Sequence, residues 1–208
     1  MRILNLYAGI GGNRKLWGGH EVTAVEYDQA TADVYSDYFP DDKIIVGDAH
    51  AYLLENYKNF DFIWASPPCP SHSDIRRCGV HAGQYEALYP DMALYQEIIL
   101  LKNFAPKDTK FCVENVKPYY EPLITPDAIC GRHYFWSNFS IPGCDVKRQG
   151  KAHENINGSE TIHGFNVSNS QISIKKKALR NMVEPEIGLH ILNCAEGHQQ
   201  PVNFGLFA

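Results

Sequence analysis

Short apolar runs alternate with helix-patterned stretches along this chain, and few architectures accommodate that order. Strands are expected at Arg2–Tyr7, Glu21–Glu26, Lys43–Val46, Asp61–Ala65, Lys110–Val113 and Tyr134–Phe139. Between them, Tyr27–Tyr38 fits a helix capped by Asp28, and Ala49–Tyr57 fits a shorter one. Met92–Phe104 carries Ala93, Leu94, Ile98 and Leu101 at helical spacing, and Val183–Cys194 resembles a closing helix. Such alternation predicts an α/β protein with a doubly wound, mostly parallel sheet. Ligands of such sheets sit at the carboxyl ends of the strands, so the chemistry is sought in the loops that follow them.

The first loop reads Tyr7-Ala8-Gly9-Ile10-Gly11-Gly12. Its glycines let the backbone approach a ligand and turn sharply into a helix. It lacks the lysine of a nucleotide-triphosphate loop, which disfavours ATP. The second strand ends in Glu26, followed by Tyr27 and Asp28; a carboxylate there can accept two hydrogen bonds from ribose hydroxyls. The third ends in Gly47-Asp48-Ala49, where Asp48 can bind an exocyclic adenine amine. The three loops agree on a nucleoside-containing ligand with little phosphate.

The sharpest feature follows the fourth strand: Ser66-Pro67-Pro68-Cys69-Pro70-Ser71-His72-Ser73. Three prolines stiffen the loop, and a rigid loop that aims a thiol into a cleft suits a nucleophile. After the fifth strand, Glu114 stands in Cys112-Val113-Glu114-Asn115-Val116. A carboxylate at an apolar strand end is expensive to bury unless it is hydrogen-bonded or protonated, which makes Glu114 a candidate acid. Asp91 and Glu97 are read as supports of the cysteine loop or as ordinary helix residues.

With 208 residues, 44% of them apolar, the chain is long enough for one globular domain without a disulfide or metal staple. No apolar run reaches the length of a membrane span and no signal peptide is expected. Six cysteines lack Cys-x-x-Cys spacing, so zinc is not expected, and a reduced, cytoplasmic protein is. Net charge is −5, unevenly spread. Residues 143–180 carry Lys147, Arg148, Lys151, Lys175, Lys176, Lys177 and Arg180 against three acids, a net +4 on a remainder of −9. A basic stretch on an acidic body suits a phosphate-contacting surface.

In this order, the motifs resemble the cytosine-C5 DNA methyltransferase family over about 1–140 and 179–195. Tyr7–Gly12 is similar to its S-adenosylmethionine loop, Pro67-Pro68-Cys69 to its Pro-Cys motif, and Glu114-Asn115-Val116 to its Glu-Asn-Val. Gly131-Arg132-His133-Tyr134-Phe135-Trp136-Ser137-Asn138 resembles the arginine motif of the de novo enzymes, with His133 where that form has arginine. Arg180-Asn181-Met182-Val183-Glu184-Pro185 resembles the late motif that closes over the cofactor. Pro70 stands where the family has glutamine. A small, phage-like member, bacterial or phage-encoded, is implied.

The resemblance implies a Rossmann-like methyltransferase fold. Its catalytic and cofactor-binding domain would span 1–139 and 179–208, and a minimal basic recognition region would span 140–178. It implies Cys69, Glu114 and Arg132 as catalytic residues, with His133 the alternative bearer of the arginine role. Tyr7, Gly9, Gly11, Glu26 and Tyr27 would bind S-adenosylmethionine, together with Asp48, Ala49, Pro67 and Asn181. Trp64 is a further candidate to line the adenosyl site. Cys69 would add to C6 of a cytosine flipped out of duplex DNA, Glu114 would donate to N3, and Arg132 would contact O2. A recognition region this small implies short sequence specificity, a homodimer or a specificity partner. Alternatives are an RNA cytosine-C5 methyltransferase, a non-catalytic regulator that binds DNA or the cofactor, and, less well matched, an amino-methyltransferase.

Overall fold

A computed structural model describes residues 1–142, 161–162, 165–166 and 182–198. In chain order the elements are β1 (Arg2–Leu6), β2 (Glu21–Glu26), α1 (Gln29–Tyr38), β3 (Lys43–Val46), α2 (Ala49–Asn56) and β4 (Phe62–Ala65). They continue with α3 (Asp74–His81), α4 (Ala93–Phe104), β5 (Lys110–Val116), β6 (Ala128–Cys130) and β7 (His133–Ser137). A small hairpin of β8 (Thr161–Ile162) and β9 (Phe165–Asn166) precedes α5 (Pro185–Ala195).

The seven-stranded sheet has the order β3-β2-β1-β4-β5-β7-β6. Its first five strands are parallel, and β7 and β6 are antiparallel. Crossing from β3 back to β1 and out to β4 and β5 makes it doubly wound, with a crevice where the winding reverses. The central strands are buried on both faces, which is why β4, Phe-Ile-Trp-Ala, is wholly apolar. Alternate side chains serve opposite cores. Ile3, Phe62, Trp64, Cys112 and Phe135 meet α5 and Trp17. Leu4, Ile63, Ala65, Phe111 and Val113 meet α2 and α4.

The helix expected directly after the glycine loop does not form. Residues 11–20 make successive turns instead. Glycines at both ends leave too few residues for a helical nucleus, and Arg14 spans the turns by donating to the Trp17 carbonyl and to Asp42. β5 runs three residues past its expected end, so Glu114 and Asn115 lie within a strand. The last expected strand starts at His133, not Tyr134, and runs antiparallel to β5. α3, β6 and the small hairpin were not expected.

Of the two readings open for Trp64, adenosyl-site wall or plain core packing, the structure has core packing. It is fully buried against Trp17 and Phe135, and its Nε1 donates to Ser66 Oγ at 2.7 Å. The all-reduced expectation is corrected at Cys130, which is disulfide-bonded. No described helix is long and apolar enough to cross a membrane.

Candidate active site

The loops after β1 to β4, the end of β5 and the start of β7 share the carboxyl edge of the parallel strands. Tyr7 ends β1 with φ +57°, followed by Gly9 at +56° and Gly11 at +88°. A non-glycine residue with that φ is strained and persists only when held. Tyr7 is held at its far end, where its hydroxyl donates to Glu97 Oε1 at 2.5 Å. The space at the Gly9 α-carbon is open: an added Cβ would meet nothing within 4 Å.

Glu26 is buried at the end of β2, and its two oxygens accept from the backbone N–H groups of Gly9 and Asp28, each at 3.0 Å. That clamp ties the first loop to the second and leaves each oxygen with acceptor capacity to spare. Tyr27, next in the chain, is 80% exposed and offers a free aromatic face. Asp48 caps α2 through Oδ1, which accepts from His50 N and Ala51 N. Ala49 is buried beneath it.

The cysteine loop is pinned from three sides. Asn115 Nδ2 donates to the Pro67 carbonyl at 2.9 Å. Asp91 N donates to Ser71 Oγ at 2.9 Å, while the Asp91 carboxylate accepts from Ala93 N, the first residue of α4. The Cys69 carbonyl accepts from both His72 N and Ser73 N at 3.0 Å. Asp91 thus touches the cysteine loop through its backbone N–H, while its carboxylate serves the start of α4, the ordinary helix role the sequence also allowed. Glu97 faces Tyr7 and His50 instead.

Burial, and then the Glu114 carboxylate, push the Cys69 thiol above its ordinary value, and Arg132 pulls the other way. Cys69, Glu114 and Arg132 therefore share one electrostatic environment although 63 positions separate the first from the last. Glu114 is buried and meets a residue that sequence reasoning offered only as an alternative. His133 Nδ1 lies 2.5 Å from Glu114 Oε1. Arg132 Nε donates to His133 Nε2 at 3.2 Å.

The late motif closes on the glycine loop. A Cβ on Gly12 would stand 2.0 Å from Met182 Cγ and 2.7 Å from the Val183 carbonyl oxygen. Asn181, Arg180 and the basic residues Lys147, Arg148, Lys151, Lys175, Lys176 and Lys177 lie outside the described residues.

The residues present fit an adenosyl cofactor. An open glycine cradle, an anchored carboxylate with free lone pairs and an exposed aromatic ring stand in sequence along one edge. The His50–Glu97–Tyr7 cluster was missed, because its members are 43 to 90 positions apart and carry no local signature.

No curated protein matches the chain. Among solved structures, a hypothetical protein of Thermus thermophilus is 18% identical, with a TM-score of 0.45 over 65% of this chain and 73% of its own. A DNMT2 mutant of Spodoptera frugiperda is 24% identical, with a TM-score of 0.38 over 56% of this chain and 35% of its own. The Entamoeba histolytica methyltransferase EhMeth is 15% identical, with a TM-score of 0.37 over 56% and 38%. The family model for C-5 cytosine-specific DNA methylase matches residues 1–122, and the chain belongs to that family.

Proposed function

We propose that this chain transfers a methyl group from S-adenosylmethionine to C5 of a flipped cytosine in duplex DNA, through a covalent bond between Cys69 and C6. The observation that carries the reading is the pairing of β4 with β5, Ala65 beside Val113, which brings the proline-stiffened Cys69 loop and Glu114 to the same edge of the sheet. Cytosine C5 is a poor nucleophile. A thiolate adding at C6 makes it electron-rich, and a proton donor at N3 stabilises the charge that develops.

When bound, S-adenosylmethionine supplies the electrophilic methyl group. Glu26 would accept its ribose hydroxyls and Asp48 its adenine amine. Tyr27 would cover the ring, Gly9 and Gly11 would admit the backbone's close approach, and Ala49, Tyr7 and Pro67 would shape the walls. Asn181 would complete the closing motif. Arg132 would contact O2 of the base and favour the thiolate. The basic residues of 143–180 would grip phosphates as the core of a minimal recognition region at 140–178, giving short specificity.

The test is methyl transfer from labelled cofactor to unmethylated duplex DNA, with nucleoside mass spectrometry and Cys69→Ala alongside. 5-Methylcytosine that vanishes in the variant is expected. C5 product surviving in the variant, or N4-methylcytosine, would refute the nucleophile. Product on RNA only would replace the substrate.

A further inference from the structure

We propose that Glu114 and His133 form a proton-sharing dyad, completed by Glu184, in which His133 is the positioning residue and proton reservoir behind Glu114. The inference rests on the cytosine-C5 reading of the site. Its basis is the convergence of three elements on one imidazole.

Across the antiparallel pair, Phe135 stands opposite Glu114, and His133 lies two residues earlier on the same face of β7. That register puts His133 Nδ1 2.5 Å from Glu114 Oε1, with both side chains buried. At the other ring nitrogen two groups compete. Arg132 Nε donates to Nε2 at 3.2 Å, as a neutral imidazole allows. Glu184 Oε2, on the segment leading into α5, lies 3.7 Å from the same Nε2. That oxygen is buried and accepts no hydrogen bond among the described residues.

A buried carboxylate oxygen with no donor is costly, and a proton on His133 places a compensating positive charge 3.7 Å from it. Nε2 therefore has a built partner for each of its states: Arg132 when it is bare and Glu184 when it carries a proton. In both states Nδ1 stays on Glu114. A guanidinium at this position would hold Glu114 equally well but could not release a proton.

In the addition step the Cys69 thiolate pair makes the Sγ–C6 bond. The C5=C6 π pair moves to C4–C5, and the C4=N3 π pair moves onto N3. N3 takes the Glu114 proton, and His133 Nδ1–H replaces it. One proton passes from the imidazolium to the base through Glu114, and the neutral ring keeps its Nε2–H toward Glu184. When the C6–Sγ bond breaks and the aromatic ring is restored, the N3 proton returns by the same path.

The groups that set this equilibrium are Cys69 on the β4 loop, Glu114 on β5, Arg132 before β7 and Glu184 before α5. The active form needs the Cys69 thiolate and a protonated dyad, so the rate should rise and then fall with pH. Single-turnover methyl transfer across pH is the experiment, with the thermal melt of each variant recorded. His133→Arg should lose the alkaline fall. His133→Gln should slow the chemical step by about 10²-fold with little change in DNA affinity. Glu184→Gln, which removes a charge that favours the imidazolium, should move the alkaline fall to lower pH. An alkaline fall unmoved in both His133→Arg and Glu184→Gln would overturn the dyad. Glu184→Gln, at a half-exposed residue, keeps the test open if His133→Arg does not fold. Absence of 5-methylcytosine from the unaltered chain would instead remove the cytosine-C5 reading, and the dyad with it.

Discussion

The hydroxyl of Tyr7 donates to Glu97 Oε1 at 2.5 Å, joining the strained end of β1 to the fully buried face of α4. Burial and the Glu97 carboxylate push the Tyr7 phenol far up, so it remains a donor at any working pH. His50 Nδ1 reaches the same oxygen at 2.9 Å, while Oε2 has no hydrogen-bond partner among the described residues. The glycine loop is thus tied by a side chain to a helix 90 positions away.

Tyr7→Phe keeps the ring and removes that tie. Losing a donor to a buried carboxylate should cost about 1–3 kcal/mol in urea unfolding. The cofactor KM should rise, because the backbone at Tyr7 is no longer held. A loss within error would mean that the strained conformation is held by the loop itself.

The same cluster sets a pH dependence of stability. Burial pushes Glu97 above its ordinary value of 4.5, and the bond to Glu97 pushes His50 above its ordinary 6.5. A raised folded value stabilises below the unfolded one and loses that stability as pH rises through the folded one. Both groups have this sign, although His50 is more than a third exposed and contributes less. The urea midpoint should therefore be lower at pH 9 than at pH 6. Glu97→Gln should flatten the slope, and an unchanged slope would locate the dependence elsewhere.

Cys69 reports its neighbours chemically. Glu114→Gln removes the carboxylate that raises the thiol, so alkylation by iodoacetamide at pH 8 should be faster. Arg132→Ala removes the opposing charge, so alkylation should be slower. Peptide mass spectrometry separates Cys69 from the exposed Cys78, which serves as the internal reference. Rates that move together in both variants would break the assigned geometry.

Gly188 tests the contact between α5 and the first loop. Within an ordinary exposed helix, Gly→Ala gains about 1 kcal/mol. Here the new Cβ would stand 2.1 Å from the Asn13 carbonyl oxygen and 2.7 Å from two other Asn13 backbone atoms. The sign should reverse to a loss of about 1–3 kcal/mol or more. A stabilised Gly188→Ala would mean that α5 sits farther from the loop.

Local pattern carried the strands well, because a strand buried on both faces is a continuous apolar run. It failed at α3, where Ile75 and Cys78 are exposed and only Gly79 is buried. Eight residues, four of them Asp, Arg or His, are too few to establish a helical period. It failed also after Gly12, where turn geometry outweighed any helical tendency.

The sequence by itself determined the order of elements, the proline-stiffened cysteine and the carboxylates at the strand ends, because each is a property of neighbouring residues. Only the tertiary structure decided the partners. Whether Arg132 or His133 faces Glu114 depends on the register of β7 against β5, since a shift of one residue reverses which side chain meets the site. The Tyr7–Glu97 tie and the Glu184 approach to His133 depend on packing across 90 and 51 positions, which no local preference encodes.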